Sequence, residues 1–530
     1  MTNYTSLINF NFGGIRRKDS MFSADKITCS DCQNVDLYYT KLNSGVGIRT
    51  TKGNISVTKY EDEEGLIKNL IPEDEEVVGI FESIQIGQYY MLVYTESLTE
   101  GKLYHLDIDG KVLNLILGGL SVTGNACGCD SVQGWLDMFV FSNGKEIKFI
   151  YGDNNTGETL QVKSDSEVTL VDQDGRTVQG LGVVEFDSRV WIFNGRVLWY
   201  SQQGNCTNFQ FNSEEAVTSA GYIEFVKEIT AIHQYLGALA IFFKDSSVLL
   251  QLDEETGFKQ DEESPGGCAS YNSLVFHGTD LYFYDNTKKG VYSFMQIVNG
   301  DKTLGDNIAL DIQEELMGIE AADVDKIRAL SVVTSDRNEV WFLVPISSEE
   351  NYSYILIYDY LRGEWLKRKC PKINAIAMMN NRLYSGGKHV CEEYVGYDFN
   401  DEFIPSYYQC TVCNLGTDNT MKITKFPPRL TMDSDYTNDF YVQYTKNYNK
   451  LKAPKVKRLK GKSLKGVLYY DTEQTYDHTY SIYLPNALNS IMKAPSATFK
   501  ALEILFYTEE YGQEFCIKAL EFSKIKVKQV

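Results

Sequence analysis

Three observations in the sequence predict an all-β fold: a β-propeller of six or seven blades with an inserted helix and an additional C-terminal β domain. The 530 residues include 36 Tyr and 27 Phe, side chains that favour pleated, half-buried surfaces. Against 41 Gly stand only 10 Pro, which suits many short strands joined by glycine turns better than proline-rich linkers. Short apolar-aromatic runs also recur around Met91, Met138, Val190, Leu239, Leu281, Val340 and Leu383, at an average spacing of about 49 residues. A repeat of about 40–50 residues with several strands is the length of one four-stranded propeller blade.

Taken in order, residues 1–75 hold few strand pairs and read as an N-terminal segment. The propeller is expected over residues 76–400. Within it, residues 139–141 and 147–150 flank Asn143-Gly144, and Trp191 to Phe193 and Val197 to Tyr200 flank Asn194-Gly195; Asn-Gly between alternating apolar residues is a strong hairpin signal. The blade count is six or seven, depending on whether the unit at Leu383 shares a closing strand with an earlier segment. Between residues 308 and 332 the period changes, because Ile312, Leu316 and Ile319 are spaced by four and three, which places them on one helical face. A helix of about three turns is expected there, inserted near 308–330 between two blades. Beyond residue 400 longer hairpins are expected at 440–444, 466–471, 480–484, 501–507 and 515–522, giving a second β domain over 401–530. A chain of several β-sandwiches, with strands every 8–12 residues or so, is the competing reading of the same spacing.

Charge narrows the functional classes. With 51 Lys and Arg against 72 Asp and Glu the net charge is −21, which excludes a basic chain held along a duplex by its overall field. The 43% hydrophobic and 23% charged content excludes disorder for most of the length. The start lacks a cationic stretch followed by an apolar run, and nowhere do about 18 apolar residues follow one another, so a soluble chain with no cleaved signal and no membrane-spanning segment is expected. An odd count of 11 Cys points to reduced thiols. The balance is uneven along the chain: residues 440–530 carry 15 Lys and Arg against 8 Asp and Glu, leaving 36 against 64 in residues 1–439. The excess collects in a basic loop expected at 446–466, with Lys446, Lys450, Lys452, Lys455, Lys457, Arg458, Lys460, Lys462 and Lys465 and no acid. Such a run reads first as a solvated loop. Lys452, Lys455, Lys457, Arg458, Lys460 and Lys462 are the candidate partner contacts, toward an acidic neighbouring subunit or toward nucleic-acid phosphates.

Chemistry-bearing motifs are sparse. The five His, at 105, 233, 277, 389 and 478, form no local metal or triad pattern. Cys29-x-x-Cys32 and Cys410-x-x-Cys413 each have half-site spacing; a zinc site assembled across the fold is one reading, and paired buried thiols are the preferred one. Cys127-Gly128-Cys129 is too tight for a zinc knuckle. Gly152 to Gly157 has the glycine spacing of a phosphate loop, but Glu158 stands where Lys is needed, and Gly119 to Gly124 fails likewise at Asn125. A glycosidase needs two carboxylates across a cleft, and no pair stands out among 72 acids. The sialidase Asp-box is not formed by Ser335-Asp336-Arg337, although Trp341 follows. No catalytic, metal or cofactor residue is assigned, and the chain is expected not to be an enzyme.

Four stretches in order resemble the tail nozzle or tail-hub (tail tubular) proteins of short-tailed bacteriophages, podovirus-like and including crAss-like phages. They are Asn11-Phe12-Gly13-Gly14-Ile15 with Gln33-Asn34-Val35, Gly47-Ile48-Arg49 and Gly53; Arg189 through Ser201 with Gly204, Asn208 and Phe209; Phe243 to Ser247 with Gly267 to Ser270 and Gly290-Val291-Tyr292; and Val340-Trp341-Phe342 with Ile357-Tyr358-Asp359-Tyr360, Gly363 and Trp365. The resemblance implies a structural virion protein of the tail, made in the host cytoplasm and assembled as a hexameric ring that continues the DNA ejection channel. Its partners would be other copies, an adaptor or portal-side ring and fibres, with viral DNA passing the lumen unbound and an acidic wall repelling phosphates within about 8 Å. A tail-associated carbohydrate-binding or glycan-degrading propeller, and a monomeric propeller scaffold, are the alternatives.

Overall fold

The structure, a computed structural model, describes residues 5–9, 12–16, 27–39 and 46–412 apart from 86, 153–159, 216, 254–256, 301–302, 346–348 and 397, and then 421–424, 429–432, 440–446, 455–459, 489–491, 498–499 and 502–528. It divides into two compact units, one of Asn54–Leu361 with Cys370–Val395, the other of Met1–Gly53, Arg362–Lys369 and Gly396–Val530.

The first unit is a seven-bladed propeller. Its innermost strands, one per blade, are Glu76–Gln85, Cys127–Gln133, Leu181–Phe186, Ile229–Tyr235, Leu274–His277, Arg328–Val333 and Ile373–Met379. Each pairs antiparallel with the strand that carries one of the seven apolar anchors: Gln88–Glu96, Leu136–Ser142, Arg189–Asn194, Ala238–Phe243, Asp280–Asp285, Asn338–Val344 and Arg382–Gly387. These second strands are buried on both faces, with Ala238–Phe243 and Asp280–Asp285 covered at every position. That is why they read as unbroken apolar-aromatic runs rather than as an alternation. Both Asn-Gly hairpins form, with Gly144 at φ +95° and Gly195 at φ +58°.

Cores lie between neighbouring blades, as packing sheet on sheet requires. Trp191, Phe193 and Leu198 of blade 3 meet Ile232, Leu239 and Ile241 of blade 4; Tyr94 and Leu103 of blade 1 meet Phe139 and Phe141 of blade 2. Val77, Met91 and Val93 of blade 1 pack with Ala375, Ala377 and Tyr384 of blade 7, so the circle is closed.

Closure uses a strand from the start of the chain. Asn54–Ser56 is the outermost strand of blade 7, pairing antiparallel with Val390–Glu393. The Asn54 amide donates to Glu393 Oε1 at 2.7 Å and the Ser385 hydroxyl donates to the same oxygen at 2.5 Å, all three residues being buried. Residues 54–75, expected in the N-terminal segment, therefore belong to the propeller unit. Glu393→Ala is expected to cost about 2 kcal/mol, the worth of a charge-assisted hydrogen bond, and to speed hydrogen exchange at residues 54–56 before other blades respond. Unchanged exchange there would show that backbone pairing alone closes the ring.

Blade 5 departs from four strands. After Gly290–Ser293 the chain turns into a short helix, Phe294–Asn299, capped by Ser293, whose hydroxyl accepts from the Gln296 N–H. The insertion expected as one helix of three turns is broken into three pieces: a 3-10 turn at Leu310–Ile312, an α-helical turn at Gln313–Met317 and a 3-10 segment at Ala321–Lys326. Gly318 ends the α-turn and Glu320 is extended at ψ 153°, so the helix cannot continue. Ile312, Leu316 and Ile319 are buried as their spacing indicated, but the insertion stops before Arg328, where the innermost strand of blade 6 begins.

Among the described residues the second unit contributes strands to two sheets. In one, Cys516–Lys528 pairs with Thr5–Asn9, Val46–Thr50, Met421–Thr424 and Arg429–Met432. In the other, Ile27–Gln33, Tyr407–Val412, Leu502–Tyr507, Phe440–Lys446 and Lys455–Leu459 lie side by side, each antiparallel to the next. Phe515 packs on Phe440 and Phe506, with ring centroids 5.7 and 6.4 Å away. Residues 1–53 thus supply strands to the same sheets as 396–530 instead of forming a separate segment. The hairpin strands expected at 466–471 and 480–484 lie outside the described residues. Among the described residues no helix is long and apolar enough to cross a membrane.

Candidate functional site

The basic segment is not a continuous loop. Lys455–Leu459 is a strand, paired with Phe440–Lys446 and lying at the edge of its sheet among the described residues. Lysine at an edge suits solvation and discourages pairing with another sheet, and this is why a run of like charges can hide a strand. The Arg458 guanidinium lies 3.8 Å from Glu510 and over the Tyr441 ring at 5.8 Å, so it is tied within its own unit. The positions of Lys455 and Lys457 are set by the strand, whereas Lys452, Lys460 and Lys462 lie outside the described residues. The segment therefore brings two of the six candidate contacts, with Arg458, onto one short edge.

Sheet pairing brings the first Cys-x-x-Cys pair to Cys410 of the second. Cys29 is the register partner of Cys410, and a bulge between Cys29 and Asp31 lets Cys32 return to the same buried side. Cys413 lies outside the described residues. Burial, with the neighbouring Cys32 and Cys410, pushes the Cys29 thiol well up, and burial does the same to Cys410. Protonated thiols are poor nucleophiles and poor metal ligands. No group of three or more metal-ligating side chains occurs among the described residues. Cys127, on the innermost strand of blade 2, is raised by burial to about 11.

A third feature comes from the fold alone. The innermost strands of six blades, all but blade 3, line an axial cavity of about 320 Å³. Its walls include Ile80, Phe81, Leu274, Phe276, Leu330 and Ile376, and its polar groups are Tyr271, Asn272, His233, Ser331 and Arg328, the last being the single formally charged residue of the lining. Arg328 crosses between connections that enter two different blades. Its Nη1 donates to the carbonyls of Asp325 at 2.5 Å and Ile327 at 3.2 Å, while Nη2 donates to the Gly124 carbonyl at 3.1 Å, just before blade 2. Burial holds this guanidinium down to about 10, partly offset by the field of Asp325.

His233 stacks on Phe276, with centroids 6.0 Å apart and planes at 16°. Its Nδ1 lies 2.8 Å from the Gln234 carbonyl, so Nδ1 carries the proton and Nε2 is the acceptor. Burial lowers its pKa and keeps the ring neutral. Further along the axis Asp130 ties blade 2 to blade 1 by accepting from the Ser83 hydroxyl at 2.9 Å and the Ile84 N–H at 3.1 Å, with burial pushing its carboxyl up. Of the cavity residues, His233 stood out in the sequence merely as one of five scattered His, and Cys127 and Gly128 only as part of a Cys-Gly-Cys run too tight for zinc. Arg328 could have been found by asking which ionisable residue precedes a blade anchor by one strand, since that position faces the axis.

No family model matches the chain, and no curated protein matches it. Among solved structures it is similar to a catalytically inactive virginiamycin B lyase from Staphylococcus aureus crystallised with quinupristin, at 10% identity and a TM-score of 0.36, covering 61% of this chain and 97% of that one. At that TM-score the likeness adds nothing to the assignment of the blades, which rests on their own strand order and closure.

Proposed function

We propose that the chain is a structural component of a short-tailed phage tail, a ring-forming nozzle or hub subunit that continues the DNA ejection channel and contacts neighbouring tail proteins. The observation that carries this reading is what the residues of the ordered resemblance do. Trp191 and Trp341 are fully buried blade residues, Arg189 holds backbone carbonyls of a blade connection, and Phe209 of that connection is buried in the core between blades 2 and 3. Motifs whose residues specify architecture suit a protein selected for shape and contacts.

The axis of the propeller is no route for DNA. Its cavity of about 320 Å³ is crossed by Arg328, whereas the major groove of a duplex is by itself about 12 Å wide. A lumen must therefore lie between copies, and the acidic excess of residues 1–439 is available to face it. The basic edge at Lys455–Leu459 offers a complementary contact for an acidic neighbour.

The test is light-scattering mass with negative-stain microscopy of the full chain, alone and with the adaptor ring protein of the same tail. Six-fold rings with an open centre are expected, of about six times the 60.2 kDa chain mass. They should loosen as salt shortens the screening length from about 10 Å to 3 Å. A monomer under both conditions would overturn the proposal.

A further inference from the structure

We propose that the axial cavity of the propeller binds a small organic acid, its carboxylate held by Arg328 and its apolar body lying against the blade walls. The argument begins with a count of donors. A guanidinium carries five N–H groups in a fixed plane. Three are used on the carbonyls of Asp325, Ile327 and Gly124, which leaves Nε–H and one hydrogen of Nη2 without an acceptor among the described residues. Those two nitrogens are adjacent in the guanidinium plane and together form a fork that fits a carboxylate bidentately.

No carboxylate lies within ion-pair distance of Arg328 among the described residues, and no Asp or Glu lines the cavity. The three carbonyls orient the guanidinium but do not neutralise it. A partly buried cation in a half-open cavity of mixed polar and apolar lining gains from an anion that brings its own apolar surface against the apolar side. One positive charge matches a singly charged acid better than a doubly charged phosphate. The remaining lining narrows the class further. Ile80, Phe81, Leu274, Phe276, Leu330 and Ile376 supply an apolar wall, and Asn272, Tyr271 and Ser331 a polar one. At about 320 Å³ the space is at the small end of ligand sites, near 300 Å³ or so.

The test titrates the full chain with hexanoate and 3-phenylpropanoate, each beside its primary amide, at constant ionic strength, by calorimetry and thermal shift. At least one acid is expected to bind saturably with a Kd of about 1 mM or tighter, and its amide about tenfold or more weaker. Arg328→Gln should weaken the acid by at least about tenfold, with far-UV circular dichroism reporting whether that variant folds. Ala329→Phe, which fills the cavity and leaves Arg328 in place, should abolish binding by a separate route. Equal binding of acid and amide, no binding by either acid at about 10 mM, or wild-type affinity in a folded variant would overturn the proposal. Because the assay reads a single chain, its result is independent of whether rings form.

Discussion

Trp191→Ala is expected to destabilise the propeller by about 3–5 kcal/mol, the range for removing a large aromatic from a core that cannot collapse around it. Trp191 is fully buried between blades 3 and 4, where it meets Tyr200 at 4.8 Å, Phe258 at 5.0 Å and Phe186 at 6.3 Å between ring centroids. Its indole Nε1 donates to the Phe186 carbonyl at 3.0 Å, so truncation also leaves that oxygen without its donor. The surrounding side chains come from two sheets whose backbones are fixed by their own ladders, which limits relaxation into the gap. For a unit of roughly 330 residues, with an unfolding entropy of about 2 cal/mol/K per residue, the melting midpoint should fall by about 5 °C. Hydrogen exchange should rise first in blades 3 and 4. A loss below about 1 kcal/mol would mean that the two blades close the gap, and that inter-blade packing is looser than native interiors.

The parts of the fold that could be read in advance share one physical property. The second strand of each blade has both faces covered, so its side chains are apolar in succession, and all seven anchors fell on such strands. The innermost strands are harder to see because one face borders the axis; Cys127–Gln133 has only Cys127 and Ser131 buried. Outer strands fade for the opposite reason, since Val112–Leu120 is exposed over most of its length. Pairings between distant parts of the chain could not be read at all. Nothing local tells Asn54–Ser56 to close blade 7, or Cys29 to face Cys410 across more than 350 residues, because register is set by the partner strand and not by the segment itself. The insertion shows the limit of periodicity: the spacing of Ile312, Leu316 and Ile319 reported a shared buried face, which three short helical pieces satisfy as well as one helix does. The axial cavity lay furthest from view, because Arg328, His233, Asn272 and Phe81 come from four blades and meet only when the ring closes.

Arg189→Met should cost a similar amount, about 3–5 kcal/mol, but by a different mechanism and with a local signature. Arg189 is 2% exposed, and its Nη1 donates to the carbonyls of Ser201 at 2.9 Å and Ser219 at 2.6 Å while Nη2 donates to Val217 at 2.8 Å. Asp187 stands 3.6 Å from Nε, and the Tyr200 ring lies 5.3 Å from the guanidinium carbon. Two effects compete. Methionine fills much of the same volume and removes the desolvation of a buried cation, the burial that lowers the Arg189 pKa, and that alone could make the change neutral. Against it stand the carbonyls of Ser201 and Ser219, two buried residues that lose a charged donor, at about 1–3 kcal/mol each for an unsatisfied buried group. Val217 is itself exposed, so its carbonyl can turn to water. The orphaned pair wins, because the methionine thioether offers no hydrogen to either oxygen. The damage should concentrate in the connection from Ser201 to Ser219, where hydrogen exchange and proteolysis should rise ahead of the other blades. Arg189→Lys should recover only part of the loss, since one ammonium cannot reach three carbonyls arranged for a planar fork. A methionine variant as stable as wild type would show that desolvation of the cation outweighs its hydrogen bonds, and would leave the motif that begins at Arg189 without its structural reason.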